Sequence, residues 1–191
     1  MARKTTISKE MILDAALKML VRDGYQAINI KSLAAETGCS TQPIAWHFKN
    51  MEGLRKALAV YAREYARRRA AADNCSAAEK FENMGRAFID MAINESNLFR
   101  FLYLGEAPMT RPLTAEDMYD VKDSTLAEGI ALQTGLTEKQ ALSCIRNTVI
   151  YSHGIAAMIA TGVLGISADE AMRMIKSASE GFVAVERMCR Q

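Results

Sequence analysis

Few residues in this chain of 191 are built for chemistry or for covalent bracing: three prolines, one tryptophan, two histidines and four cysteines. Cys39, Cys75, Cys144 and Cys189 are scattered, with no CxxC pair, so neither a disulfide framework nor a zinc site is expected. Two histidines and isolated cysteines supply no catalytic triad, no metal-ligand spacing and no phosphate loop; an enzyme, a metal and a cofactor are all unexpected. No stretch reaches the ~18 unbroken apolar residues of a membrane span. The opening MARKTTISKE lacks the apolar run of a secretion signal, which makes the cytoplasm the expected compartment, with no membrane partner. Scarce proline and few β-branched runs favour helix almost throughout, and the periodicity predicts an all-α chain of about nine helices with no strand.

Half of the residues are hydrophobic, ample for a core. Charge is divided unevenly. Residues 1–69 hold 13 Lys/Arg against 6 Asp/Glu, whereas residues 70–191 hold 11 against 16. A positive amino-terminal part suits a polyanion, because neutralising phosphates releases condensed counterions.

The basic part contains the most informative stretch, IKSLAAETGCSTQPIAWHFKN, residues 30–50. Ile30, Leu33 and Ala34 repeat at helical spacing after Asn29 or Ile28, and Gly38 stands where a left-handed residue ends a helix. Ser40 then offers an N-cap for a second helix through Phe48, with Pro43 in the first turn, where its missing N–H does no harm. Two short helices around a tight turn form a helix-turn-helix, whose second helix enters the DNA major groove by its amino-terminal end. An earlier helix opening at Ser8, with Met11, Ile12, Ala15, Ala16, Met19 and Leu20 on one face and Gly24 at its end, completes a three-helix module. Asn50 caps a long fourth helix through Leu54, Leu58, Tyr61 and Tyr65 to the basic run Arg67-Arg68-Arg69.

Beyond that, capping boxes open helices at Ser76 and Thr137, Thr114 and Ser167 cap two more, and a short apolar helix covers Leu98–Leu104. The helix after Thr137 is long and nearly uncharged. The expected division is a helix-turn-helix domain over residues 1–50 and a helical ligand-binding and dimerisation domain over 51–191.

With these residues in view, the chain resembles the tetracycline-repressor (TetR) family of bacterial transcription regulators. The likeness rests on Gly24-Tyr25, Leu33-Ala34 followed by Gly38, His47-Phe48 and Glu52-Gly53-Leu54. Gln42-Pro43 and Trp46-His47 are similar to the recognition segment of the tetracycline repressors, one residue closer together. Ala45 and Met51 stand where the family commonly carries a Tyr and a Lys against the DNA backbone. His153-Gly154-Ile155-Ala156 is similar to a segment of one subgroup. The resemblance implies a DNA-binding regulator with a small-molecule effector, most simply a repressor released from a palindromic operator by a hydrophobic compound. The rival is a constitutive DNA-binding factor whose carboxy-terminal half contacts a protein partner; a sealed, fully packed half would favour it.

Ser40, Thr41, Gln42 and Lys49 are the candidates for DNA contact, with Lys31, Trp46 and His47 for its backbone. Gln pairs bidentately with adenine and Thr reaches a thymine methyl or a phosphate. Ile44, Phe48 and Cys39 are expected in the core. Two half-sites require a homodimer, for which Ile145, Ser152 and Ala156 on one helix and Ile175 and Phe182 on the last are the candidate surfaces. Met84, Phe88, Met91, Phe99, Tyr103, Met118, Tyr119 and His153 are the candidate ligand pocket, because methionine and aromatic side chains make an adaptable apolar site.

Overall fold

The computed structural model describes residues 7–70, 76–108 and 124–188, and all regular structure among them is helical. In chain order the helices are α1 Lys9–Asp23, α2 Ile30–Thr37, α3 Thr41–Phe48, α4 Met51–Ala70, α5 Ala77–Asn94, α6 Ser96–Tyr103, α7 Ser124–Thr134, α8 Glu138–Ala160 and α9 Ala168–Met188, with a 3-10 turn at Tyr25–Ala27. The helix expected after Thr114, with Met109, Met118 and Tyr119, falls outside the described residues before Ser124. None of the described helices is long and apolar enough to cross a membrane.

Packing divides the described chain into two compact units, residues 7–68 with 95–108, and residues 69–94 with 124–188. In the first, Ser8 Oγ accepts the Met11 N–H at 3.1 Å and starts α1. The buried stripe of α1 is Ile12, Leu13, Ala16, Leu17, Met19 and Leu20. Met11, expected in that stripe, is 47% exposed, and Leu13 and Leu17 are buried instead. The reason is a second neighbour: α1 packs against α2 and α3, and also against α6, which arrives from far along the chain.

Helix α6 is tied to the end of α1. Leu98, Phe99, Phe101 and Leu102 are buried, Phe101 stacks on Tyr25 at 5.2 Å, and Asn97 Nδ2 donates to the Val21 carbonyl at 3.1 Å. The Arg55 guanidinium lies 4.8 Å from the Tyr25 ring centre and donates to the Glu106 carbonyl. Helix α4 is held by hydroxyls: Tyr65 donates to Glu95 at 2.8 Å, and Tyr61 donates to Asp14. That bond favours the protonated phenol and pushes the Tyr61 pKa up to about 12.

The second unit comprises α5, α7, α8 and α9, with α8 packed against the other three. Reciprocal capping boxes open α5, between Ser76 and Glu79, and α8, between Thr137 and Gln140. Leu126 and Ala127 of α7 and Ile145 and Val149 of α8 form a buried cluster, flanked by Phe81 and Met84 of α5 and Ile130.

Candidate nucleic-acid interface and ligand cavity

Helix α2 begins with a full capping box. Asn29 Oδ1 accepts from the Lys31 and Ser32 N–H groups at 3.0 and 2.9 Å, and Ser32 Oγ accepts the Asn29 N–H at 2.9 Å. It ends at Gly38, whose φ of 65° lies in the left-handed region that glycine adopts without steric cost. Ser40 follows with the extended backbone of an N-cap, but its hydroxyl makes no capping bond. Pro43 occupies the third helical position, where an N–H would have met that hydroxyl, and proline has none. Ser40 Oγ is therefore not consumed by the helix, and the residue is exposed.

At 100° per residue, Thr41, Gln42, Ala45 and Trp46 sweep an arc of about 140° on α3, and all four are exposed. Ile44 and Phe48 fall outside that arc and are buried, as expected. Trp46 is 78% exposed, which removes it from the core. His47 is half-buried, its Nε2 3.2 Å from the Ile7 carbonyl at the start of α1, and its ring meets Trp46 edge-on at 4.6 Å. Lys31 and Lys49 are exposed. Cys39, expected in the core, is half-buried; its thiol donates to the Ser40 carbonyl at 3.1 Å and lies 3.0 Å from Thr37 Oγ1. It sits in the tight turn itself, where the chain is too short to bring it under α2 or α3.

The step from α3 to α4 is a γ-turn. Lys49 has φ 64° and ψ −50°, and the Asn50 N–H donates to the Phe48 carbonyl at 2.7 Å. Lys49 is the only described non-glycine residue with positive φ. Such strain persists only where the surroundings enforce it. Enforcement comes from α4: Asn50 Oδ1 caps it by accepting the Gly53 N–H at 2.8 Å, and a Cβ on Gly53 would overlap the Phe48 carbonyl oxygen. Further along α4, Arg67 and Arg68 both hydrogen-bond to Glu64 and hold its carboxyl down to about 2, so the basic run carries an internal counter-charge.

In the second unit a cavity of about 800 Å³ opens between α5, α7, α8 and α9. Its floor is Cys144, Ile145, Thr148, Val149 and Ser152 of α8 with Ile175 of α9, all buried. Burial and the Glu186 charge push the Cys144 thiol up, which keeps it protonated. The sequence-derived pocket residues lie elsewhere. Phe99 is buried in the first unit with Tyr103 against it at 5.1 Å. Phe88 and Met91 are buried in the second, Met84 packs on the Leu126 cluster, and His153 faces Phe88 with ring centres 5.9 Å apart.

Of the residues named for pairing two copies, Ile145, Ser152, Ala156 and Ile175 are buried inside their own unit, and Phe182 is half-buried. Their regular spacing marked the inward face of α8 and α9. The apolar residues those helices expose are Leu142, Ile150, Tyr151 and Met158, with Met174, Val185 and Met188.

A short polar-faced helix set by a tight turn on a three-helix core defines the class, a helix-turn-helix protein. Residues 12–58 match the model of the bacterial regulatory proteins, tetR family. The chain is 41% identical over 51 residues to the uncharacterised helix-turn-helix transcriptional regulator YvkB of Bacillus subtilis, 27% of each chain. It is 35% identical over 54 residues to the class D tetracycline repressor of Escherichia coli, 28% of this chain and 25% of the repressor. The matched segments thus span about a quarter of these relatives' length. Over the whole chain the likeness is one of fold: TetR from Acinetobacter baumannii aligns with a TM-score of 0.60 at 18% identity, covering 94% of this chain and 98% of that one. A variant of that protein solved with minocycline aligns with a TM-score of 0.56 at 19% identity, covering 96% and 98%. Residues 12–58 of this chain thus match the amino-terminal model of the tetR family, and the chain as a whole shares the fold of these solved regulators.

Proposed function

We propose that this protein is a dimeric transcriptional repressor that binds a palindromic operator through α3 and is released by a small hydrophobic molecule held in its second unit. The observation that carries the DNA-binding part is the exposed polar face of α3, with Thr41 and Gln42 in its first turn and Ser40 Oγ not tied up as a cap. Gln42 and Thr41 read base edges; Lys31, Lys49, Trp46 and His47 hold the phosphates. The match of residues 12–58 to the tetR-family model supports the same reading.

One such module reads only a few base pairs, so specificity calls for two copies. The exposed apolar residues of α8 and α9 are the surface for that pairing. Gly154 and Gly181 lie among them with open space around their Cα atoms, which leaves room for another backbone to approach closely. Ile150→Arg is expected to convert a dimer into a monomer in sedimentation equilibrium at micromolar concentration. A protein that is monomeric both free and on DNA would overturn the dimer.

A cavity of about 800 Å³ falls within the range of small-ligand sites and favours an effector over a constitutive factor with a sealed second half. An effector must bind more tightly to a state in which two recognition helices no longer match half-sites ~34–36 Å apart. The test is a mobility-shift titration at fixed salt with DNA from upstream of the gene. A specific complex on an inverted repeat, dissolved by one of a panel of hydrophobic compounds, is expected; no complex at low ionic strength would overturn the reading.

A further inference from the structure

The cavity of the second unit runs along helix α9. Asp169, Met172, Lys176, Ser179, Val183 and Arg187 line it at successive three- and four-residue steps. From Asp169 to Arg187 is 18 residues, about 27 Å along a helix. The lining thus follows about five turns of one helix, the shape of a slot. Exposed polar contacts span it near both ends: Arg86 of α5 donates to Asp169 at 3.1 Å, and Arg187 donates to the Thr134 carbonyl of α7 at 2.6 and 3.1 Å.

The slot has no charge on its floor. Its charged residues are all exposed, and they are of both signs, with Glu82 and Glu180 offsetting Arg173 and Lys176. An ionised group pushed to the floor would lose its hydration without gaining a partner, so the buried part of any occupant is uncharged.

One floor group is singular. Thr148 is 3% exposed, and its Oγ1 has no hydrogen-bond partner among the described residues. Four other hydroxyls in or at the end of a helix turn back to the carbonyl four residues earlier: Thr37 to Leu33 at 2.8 Å, Thr134 to Ile130 at 2.6 Å, Ser152 to Thr148 at 2.7 Å and Thr161 to Ala157 at 2.7 Å. The same bond to Cys144 is open to Thr148 by geometry and is not made. A buried hydroxyl without a partner is costly, and a 120° turn about χ1 carries it to the position the methyl now holds.

We propose that the slot binds an elongated, uncharged, largely apolar molecule bearing a carbonyl or hydroxyl oxygen near mid-length, and that Thr148 Oγ1 is the hydrogen-bond partner of that oxygen. Occupancy as the event that releases DNA rests on the regulator reading above; the ligand class rests on the slot alone.

The probe is laurdan, an uncharged naphthyl ketone with a twelve-carbon acyl chain, whose emission shifts to the red when its carbonyl accepts a hydrogen bond. Titrated into the intact protein without DNA, it is expected to bind saturably at one per chain, with hydrogen-bonded emission. Thr148→Val should weaken binding about tenfold and shift emission to the blue, while Thr148→Ser restores both. Gly85 lines the slot on α5, 3.7 Å from Met172 Cε at its would-be Cβ, so Gly85→Leu should block binding from a different helix. Lack of saturable binding, or affinity and emission unchanged in both Thr148→Val and Gly85→Leu, overturns the proposal. Laurdan that binds as expected but leaves the operator complex intact would sustain the slot and sink its role in release. Absence of any operator complex in the ligand-free protein would sink the regulator reading and leave the titration standing.

Discussion

Helices α3 and α8 both carry short polar side chains along one face, yet α3 shows Ser40, Thr41 and Gln42 to solvent while α8 hides Cys144, Thr148 and Ser152. The difference lies in what stands opposite. In α3 only Ile44 and Phe48 reach the core of the first unit, so the other face is left outward and the groups on it are free to meet a duplex. In α8 three helices surround the small residues, and small residues leave space, so the same chemistry becomes the floor of a slot. A reading head is made by burying little of a short helix. A binding chamber is made by surrounding a long one with more volume than its side chains fill.

The sharpest way to break that contrast is at the joint that holds α3 in place. Gly53→Val puts a Cβ onto the Phe48 carbonyl oxygen, and we expect it to destabilise the first unit by about 3 kcal/mol in a urea melt, because a backbone atom cannot move aside as a side chain can. A melt indistinguishable from the parent would show that the α3–α4 joint is not set by this contact.

Next comes the reading face itself. Gln42→Ala should lower operator affinity by about 1–3 kcal/mol with the melt unchanged, since the side chain touches solvent and not the core. Unchanged affinity at fixed salt would remove Gln42 from base readout.

A smaller change sharpens the link between strain and function. Lys49→Gly relieves a left-handed φ at a non-glycine residue and should raise stability by about 1 kcal/mol, while operator binding weakens and loses part of its salt dependence with the lost cation. Stability and DNA affinity moving in the same direction would contradict it.

In the second unit the expected effect is on pH. Burial lowers the folded-state pKa of His153 below its ordinary 6.5, so the unfolded chain takes up the proton first. The stability this group contributes is complete above pH 6.5 and declines as pH falls below that value through the folded pKa. His153→Gln should flatten the melting midpoint between pH 7 and pH 5 relative to the parent; equal slopes would exclude His153 as the titrating group.

Much of this was legible in the order of residues. Caps announce themselves chemically, and Ser8, Asn29, Asn50, Ser76 and Thr137 all act as caps where the spacing placed them. Ser40 had the right neighbours but lost its partner to Pro43, a signal that was present in the sequence three residues on. Thr148 could have been found only as a member of the Cys144, Thr148, Ser152 row at four-residue steps on an uncharged helix, and that row reads equally as a face for another helix. Met84, Phe88 and Phe99 have the composition of a pocket and do not line the slot, because composition does not say which space between the helices a residue faces.

Local chemistry alone therefore decided the helices, their ends and the turn at Gly38, since each depends on hydrogen bonds and backbone freedom within about four residues. Which way each helix faces was decided by packing. The arrival of α6 at α1 and the slot between α9 and α8 depend on groups distant in the chain, whose meeting is a matter of three-dimensional volume that no local pattern encodes.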